Sequence, residues 1–211
     1  MDIGIKHQSL GVMAYKILKD LILNNTLKSG EKIKQEKMAV QLGISRIPLR
    51  HALTMLENDG LVISYPQKGF YVKEVTEDEL SDILDIRAVI ESISIFKLAE
   101  ILSKEIKERL LEFLNDFEKA FKEKDVQKYY DLDRKFHHYI VEATSNGILK
   151  KVSDMSSIQV LRYSKGFELD METSFNHHKK IVDYLFDNKA REASELLNFH
   201  FKRVKELFKR K

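Results

Sequence analysis

Three histidines and one aspartate lie on the apolar faces of predicted helices, where polar side chains are unusual. Asp133 and His137 are four residues apart in the helix predicted over 126–145, whereas His178 and His200 belong to two later helices. Residues four apart share one helix face, and a buried carboxylate is unstable unless a positive charge compensates it. A divalent cation supplies that charge and binds neutral imidazoles, so the pattern predicts a site for Zn²⁺, with Ni²⁺ or Mn²⁺ as alternatives.

Two further histidines, His138 and His177, are direct neighbours of these candidates. Each lies about 100° around its helix from the adjacent stripe residue, so we expect both at the surface or beside the ligands. The alternative for any single histidine is an ordinary core or interface role. The convergence of four groups from three helices favours a metal site over that alternative.

The candidate ligands belong to a long helical segment that begins near a capping box. Thr76 is the predicted N-cap, and Glu79 follows three residues later. We place the domain boundary here and predict an all-α domain over residues 76–211, which makes the protein mainly α. Its six predicted helices cover residues 77–102, 105–123, 126–145, 147–165, 171–188 and 190–209.

The N-terminal domain, predicted over residues 1–75, begins with a helix at 10–25. Met13, Ile17 and Leu21 are spaced for one apolar face of that helix, together with Ile22. We therefore expect this face to pack inward.

Two shorter helices, predicted at 35–42 and 45–59, are joined by a sharp turn. Gly43 provides the positive φ that the turn needs, and the Ser45 hydroxyl is expected to cap the second helix. Pro48 falls in the first turn of that helix, where a missing N–H is tolerated.

The second of these helices has one apolar face and one basic face. Leu49, Leu53 and Leu56 form the apolar stripe, whereas Arg46 and Arg50 share another face near the helix start. Gly60 is expected to end the helix in the left-handed conformation. Two short strands at 61–64 and 70–73 follow.

This order of two helices and a hairpin predicts a winged helix-turn-helix, which places its second helix in the major groove of DNA. Arg46 and Arg50 are the candidates for reading bases or adjoining phosphates, and Ser45 for contacting phosphate, with Pro48 in the same turn. Lys68 and Gly69 at the tip of the hairpin are expected to approach the minor groove. The alternative for the two arginines is a solvated helix face.

Composition agrees with this division. Residues 1–73 carry eleven Lys and Arg against six Asp and Glu, whereas the remainder carries 25 against 27. The absence of cysteine excludes disulfides, thiolate metal sites and cysteine nucleophiles, and fits a cytoplasmic protein. No apolar run approaches about 18 residues, so we expect no membrane span, and the N-terminus does not have the pattern of a signal peptide.

Together these residues resemble the GntR family of bacterial transcription regulators, in the FadR-type branch that carries an FCD effector domain. The resemblance covers about residues 10–208 and rests on Gly30–Ile33, Leu42–Arg50, Gly60–Val62, Gly69–Val72, Asp85–Arg87, Asp133–His137, His178–Ile181, Ala193 and His200. The chain departs from the family pattern in two places: Gln35-Glu36 stands where the family usually has Glu-Arg, and His51 stands where it usually has Glu.

The resemblance implies a ligand-responsive repressor that binds a pseudo-palindromic operator as a homodimer. It also implies Asp133, His137, His178 and His200 as metal ligands, because metal-binding members hold the ion at these positions. Six helices are more similar to the VanR-type subgroup than to the seven-helix acyl-CoA binders. A small carboxylate effector would complete the metal coordination, with Arg87 as its clamp; the alternative for Arg87 is an intramolecular ion pair.

Two other functions are compatible with the same cluster. A metal-dependent hydrolase could use the Asp and His residues, but it needs a positioned general base beside the metal-bound water, and none is evident. A purely structural metal in a regulator that senses nothing is the other alternative.

Overall fold

Two units divide the chain, the first ending at Thr76 and the second beginning at Glu77. The structure, a computed structural model, describes residues 9–154 and 170–208. The roles assigned to the two predicted domains stay predictions. The mainly α fold class is confirmed, with a helix-turn-helix unit followed by a helical domain.

Three helices and a hairpin form the first unit. They are α1 (Leu10–Leu23), α2 (Gln35–Leu42), α3 (Arg46–Asn58), β1 (Val62–Tyr65) and β2 (Gly69–Val72). The strands pair antiparallel, with Val62 opposite Val72 and Tyr65 opposite Gly69. An isolated bridge from Lys32 to Tyr71 extends this sheet, and α1 packs against α3.

The turn and the apolar stripe of α3 follow the sequence pattern. Gly43 ends α2 with φ of 64°, in the left-handed region that favours glycine. Leu49, Leu53 and Leu56 are fully buried. Ser45 occupies the N-cap position of α3, but the predicted capping hydrogen bond is wrong, because its side chain accepts none there.

The prediction for the buried face of α1 is confirmed for Ile22 and wrong for Met13 and Ile17. Met13 and Ile17 are almost half exposed, and the buried residues of this helix are Gly11, Ala14, Leu18 and Ile22. The reason is the closeness of α3: a Cβ atom on Gly11 would lie 2.5 Å from Nδ1 of His51. Gly11 lets the two helices approach at this point, so it lies on the inward face with Ala14, Leu18 and Ile22.

The second unit consists of helices over its described residues. Their bounds are α4 (Glu77–Glu100), α5 (Lys104–Lys122), α6 (Val126–Glu142), α7 (147–154 as far as described), α8 (Met171–Phe186) and α9 (Ala190–Phe208). The remainder of the helix predicted over 147–165 lies outside the described residues. The side chains of Ser103, Asp125 and Asp170 cap α5, α6 and α8, each accepting a hydrogen bond from the first turn.

Packing in this unit brings five of the described helices together around one core. α4 packs most extensively against α9, and α6 contacts both α4 and α5, while α8 contacts α5 and α9. An aromatic cluster of Phe113, Phe117, Tyr129 and Phe136 fills the space between α5 and α6. Val126, the first residue of α6, is exposed. None of the described helices is long and apolar enough to cross a bilayer.

Candidate metal centre and nucleic-acid interface

The four candidate ligands lie side by side in the core of the second unit. α6 contributes Asp133 and His137 on successive turns of one face, α8 contributes His178, and α9 contributes His200. One ligand atom from each lies within 4.8 Å of the other three. The structure therefore brings together side chains that are up to 67 positions apart in the chain.

The spacing of these atoms fits a metal ion. Nε2 of His178 lies 3.3 Å from Nε2 of His137 and 3.4 Å from Oδ1 of Asp133, and His137 Nε2 lies 3.8 Å from the same oxygen. Bonds of 2.0–2.1 Å in a tetrahedral zinc site separate neighbouring ligand atoms by about 3.3–3.4 Å. Oδ1 of Asp133 is buried without a hydrogen-bond partner in the described residues, as expected of an atom that needs a cation.

Burial sets the charge state of this cluster. It lowers the pKa of His178 and His200 well below the ordinary value, and the neighbouring imidazoles lower both further. These histidines are therefore neutral at pH 7, the state in which imidazole binds a metal. Burial also raises the pKa of Asp133, although the charges of His137 and Arg87 oppose the shift. A cation would stabilise its ionised form.

Glu91 on α4 supports the cluster from behind. Its Oε2 lies 2.5 Å from Nδ1 of His137, the ring nitrogen that faces away from the other ligands, while its Oε1 accepts hydrogen bonds from Arg87 at 3.0 and 3.2 Å. Both Glu91 and Arg87 are buried. A carboxylate on the far nitrogen fixes the tautomer and the orientation of a ligating imidazole.

Glu91 is a functional candidate of the second unit that sequence reasoning missed. It shares the buried stripe of α4 with Leu84, Arg87 and Leu98, and a carboxylate on an apolar stripe is the signal that also marks Asp133. The intramolecular ion pair considered for Arg87 is present, because Arg87 binds Glu91 and stacks over Phe201. Its role toward an effector stays a prediction.

The two neighbouring histidines lie in different surroundings. His138 points away from the ligands, with Nε2 2.8 Å from Asp154 and Nδ1 3.6 Å from Glu142. His177 lies closer, with its ring 5.6 Å from that of His200 beside a cavity of about 20 Å³, large enough for one water molecule.

The two candidate arginines of the first unit lie in the first turns of α3. Arg46 and Arg50 are exposed, as is Ser45, whereas Leu49 between them is buried. Arg46 is not isolated: its guanidinium forms an ion pair with Glu36 of α2.

A cleft of about 570 Å³ lies between the N-terminus of α2, the start of α3 and the tip of the hairpin. It brings Arg46 together with Lys68 and Gly69, whereas Ser45, Pro48 and Arg50 do not line it. Three further lysines do, Lys32, Lys34 and Lys37. These were missed, although their close spacing before and within α2 is a signal for phosphate binding.

Comparison with known proteins decides the family. Residues 10–72 match the family described as bacterial regulatory proteins, gntR family, and residues 82–203, more than half of the chain, match the FCD domain. The chain belongs to the gntR family. As a member with an FCD domain, it is a DNA-binding transcription regulator and not an enzyme.

Individual relatives agree with this assignment. The gntR-family chain is 28% identical over 193 residues to an uncharacterised HTH-type transcriptional regulator of Bacillus subtilis, YdhC, covering 89% of this chain and 85% of the relative. It is 27% identical over 145 residues to the gluconate operon transcriptional repressor of Bacillus licheniformis, covering 69% and 59%. The crystal structure of a putative GntR transcriptional regulator from a Rhodococcus species has the same fold, with a TM-score of 0.79, 17% identity and coverage of 95% and 98%.

Proposed function

We propose that this regulator is a homodimeric repressor whose second unit binds a divalent metal ion and a small organic carboxylate. The observation that carries the proposal is the convergence of Asp133, His137, His178 and His200 in one buried cluster. Zinc fits a site of three imidazoles and one carboxylate. Nickel and manganese are alternatives, because the chain has no thiolate that would favour zinc over them.

The proposed effector follows from the donor set. Four protein ligands would leave one or two positions open on an ion that accepts five or six ligands, and such an ion would attract an anionic oxygen to the open position. Arg87 is buried and hydrogen-bonded to Glu91, which in turn contacts the candidate ligand His137. A carboxylate is the group that a cation and a guanidinium both favour.

The proposed DNA target follows from symmetry. A two-fold dimer presents two copies of α3 and of the hairpin, so it reads two half-sites related by the same axis. We propose a pseudo-palindromic duplex contacted by Ser45, Arg46, Pro48, Arg50, Lys68 and Gly69. The gluconate operon repressor among the relatives supports repression over activation.

Native mass spectrometry combined with operator binding tests the proposal. We expect the mass of a dimer with one metal ion per chain. We also expect that at least one acid in a panel of small carboxylates changes the operator affinity about 5- to 150-fold, the usual range of coupling between two sites. The change should require the metal-loaded protein. A chelated protein that melts earlier but keeps an operator affinity independent of every acid would instead identify a structural metal.

Substitution of Glu91→Gln should weaken metal binding about 10- to 100-fold, because the amide cannot hold the far nitrogen of His137 as the carboxylate does. Competition with a chromophoric chelator measures the affinity. Glu142→Gln is the matched control, since Glu142 makes a similar contact to the surface His138. Equal affinities in the two variants would exclude the supporting role of Glu91.

A further inference from the structure

The ion pair between Glu36 and Arg46 lies in the middle of the proposed DNA interface. Glu36 is the second residue of α2, and Arg46 is the first residue of α3. Their side chains are 79% and 71% exposed, so the pair stabilises the fold little. Its consequence is local, because the Arg46 guanidinium contacts the Glu36 carboxylate beside the start of α2.

The charge of Glu36 contrasts with everything around it. Among the described residues that line the cleft, Glu36 is the one acidic side chain, against Arg46 and four lysines, Lys32, Lys34, Lys37 and Lys68. A carboxylate in such a cleft lowers the attraction of DNA phosphates. Glu36 therefore lowers the sequence-independent affinity for DNA. A better discrimination between DNA sequences can offset this lower affinity.

Base chemistry shows how such a gain arises. An arginine donates two hydrogen bonds to O6 and N7 of guanine, whereas a glutamate only accepts and pairs with the N4 amino group of cytosine. The same carboxylate repels the acceptor edges of guanine and thymine, so it rejects wrong bases as well as binding the right one.

We infer that Glu36 is a specificity-determining residue, which holds Arg46 against a guanine and accepts a hydrogen bond from a cytosine of the neighbouring base pair. The paired side chains then read two adjacent base pairs as one unit. Lys32, Lys34 and Lys37 supply the sequence-independent attraction that the carboxylate reduces.

Selection of duplexes from a randomised library by the full-length protein tests this inference. Wild type should select a guanine next to a cytosine, and changing that cytosine should weaken binding about 5- to 150-fold. Glu36→Ala should reduce this discrimination to less than about 3-fold, with the guanine preference retained, and Glu36→Gln should shift the preference toward adenine, the base that glutamine reads.

Asp20→Asn is the control for charge, because Asp20 is an exposed acid of α1 outside the cleft and its replacement changes the net charge equally. The inference is overturned if both Glu36 variants keep the base preferences of wild type and bind all duplexes more tightly by the same factor, as the control does. Equal loss of binding on all sequences would overturn it too. The wild-type selection tests operator recognition separately, since a wild type that selects no motif contradicts recognition itself.

Discussion

Substitution of Asp133→Asn is expected to abolish metal binding while leaving the metal-free protein at least as stable as wild type. For wild type, free zinc at 100 times its dissociation constant should raise the melting temperature by about 5–11 °C, and for the variant by less than about 2 °C. The amide is a poor ligand for zinc, whereas the carboxylate supplies the negative charge of the site. Thermal melting with and without zinc measures both effects.

The expected stability of the metal-free Asp133→Asn variant follows from the raised pKa of Asp133 in wild type. Burial disfavours its ionised form in the folded protein, so without metal this group stabilises the fold at pH below its ordinary pKa and loses that contribution as pH rises through the folded value. Asparagine has no such titration. The chelated variant should therefore match or exceed chelated wild type at pH 7 and lose less stability between pH 4 and 7.

His138→Ala provides the matched control for the metal experiment. His138 follows the candidate ligand His137 directly but pairs with Asp154 at the surface. It should keep the full zinc-dependent shift. Equal shifts in Asp133→Asn and His138→Ala would show that zinc binds elsewhere.

The second large effect is expected on DNA binding. Arg46→Ala and Arg50→Ala should each weaken binding to the selected operator about 5- to 150-fold, and together they should weaken it more than either does alone. The arginines are exposed, so the fold should not change. Fluorescence anisotropy of a labelled duplex, repeated across a salt titration, measures the loss and the change in salt dependence.

Arg191→Ala removes the same charge from an exposed site of α9, where Arg191 pairs with Glu195. Its operator affinity should stay within about twofold of wild type. If the double variant of Arg46 and Arg50 keeps its operator affinity at every salt concentration, as this control should, the proposed role of the two arginines in DNA binding is contradicted.

Local chemistry explains why the helix-turn-helix was predictable. The turn at Gly43 and the stripe of Leu49, Leu53 and Leu56 depend on interactions between residues close in sequence. Such local interactions favour one backbone conformation without any contact from distant residues. The helix ends were less predictable. α6 stops at Glu142, three residues early, where Ser145 takes a positive φ of 55° in the turn that follows.

The candidate metal cluster was predictable for a related reason. A carboxylate or an imidazole on an apolar stripe is visible in sequence, because helical periodicity assigns Asp133, His137, His178 and His200 to inward faces. Periodicity does not predict that the inward faces of α6, α8 and α9 pack against one another.

Tertiary packing decided the contacts between distant residues. Glu91 reaches His137 across 46 positions because α4 packs on α6, and Glu36 reaches Arg46 because the turn at Gly43 brings two helix starts together. It also decided that α1 buries Gly11 and Ala14 instead of Met13, since His51 of α3 lies where a side chain at position 11 would be. The sequence by itself thus determined that Asp133 and the three candidate histidines face inward, whereas only the packed helices determined their partners and the inward face of α1, because helix periodicity is local and contact between helices depends on the shape of both surfaces.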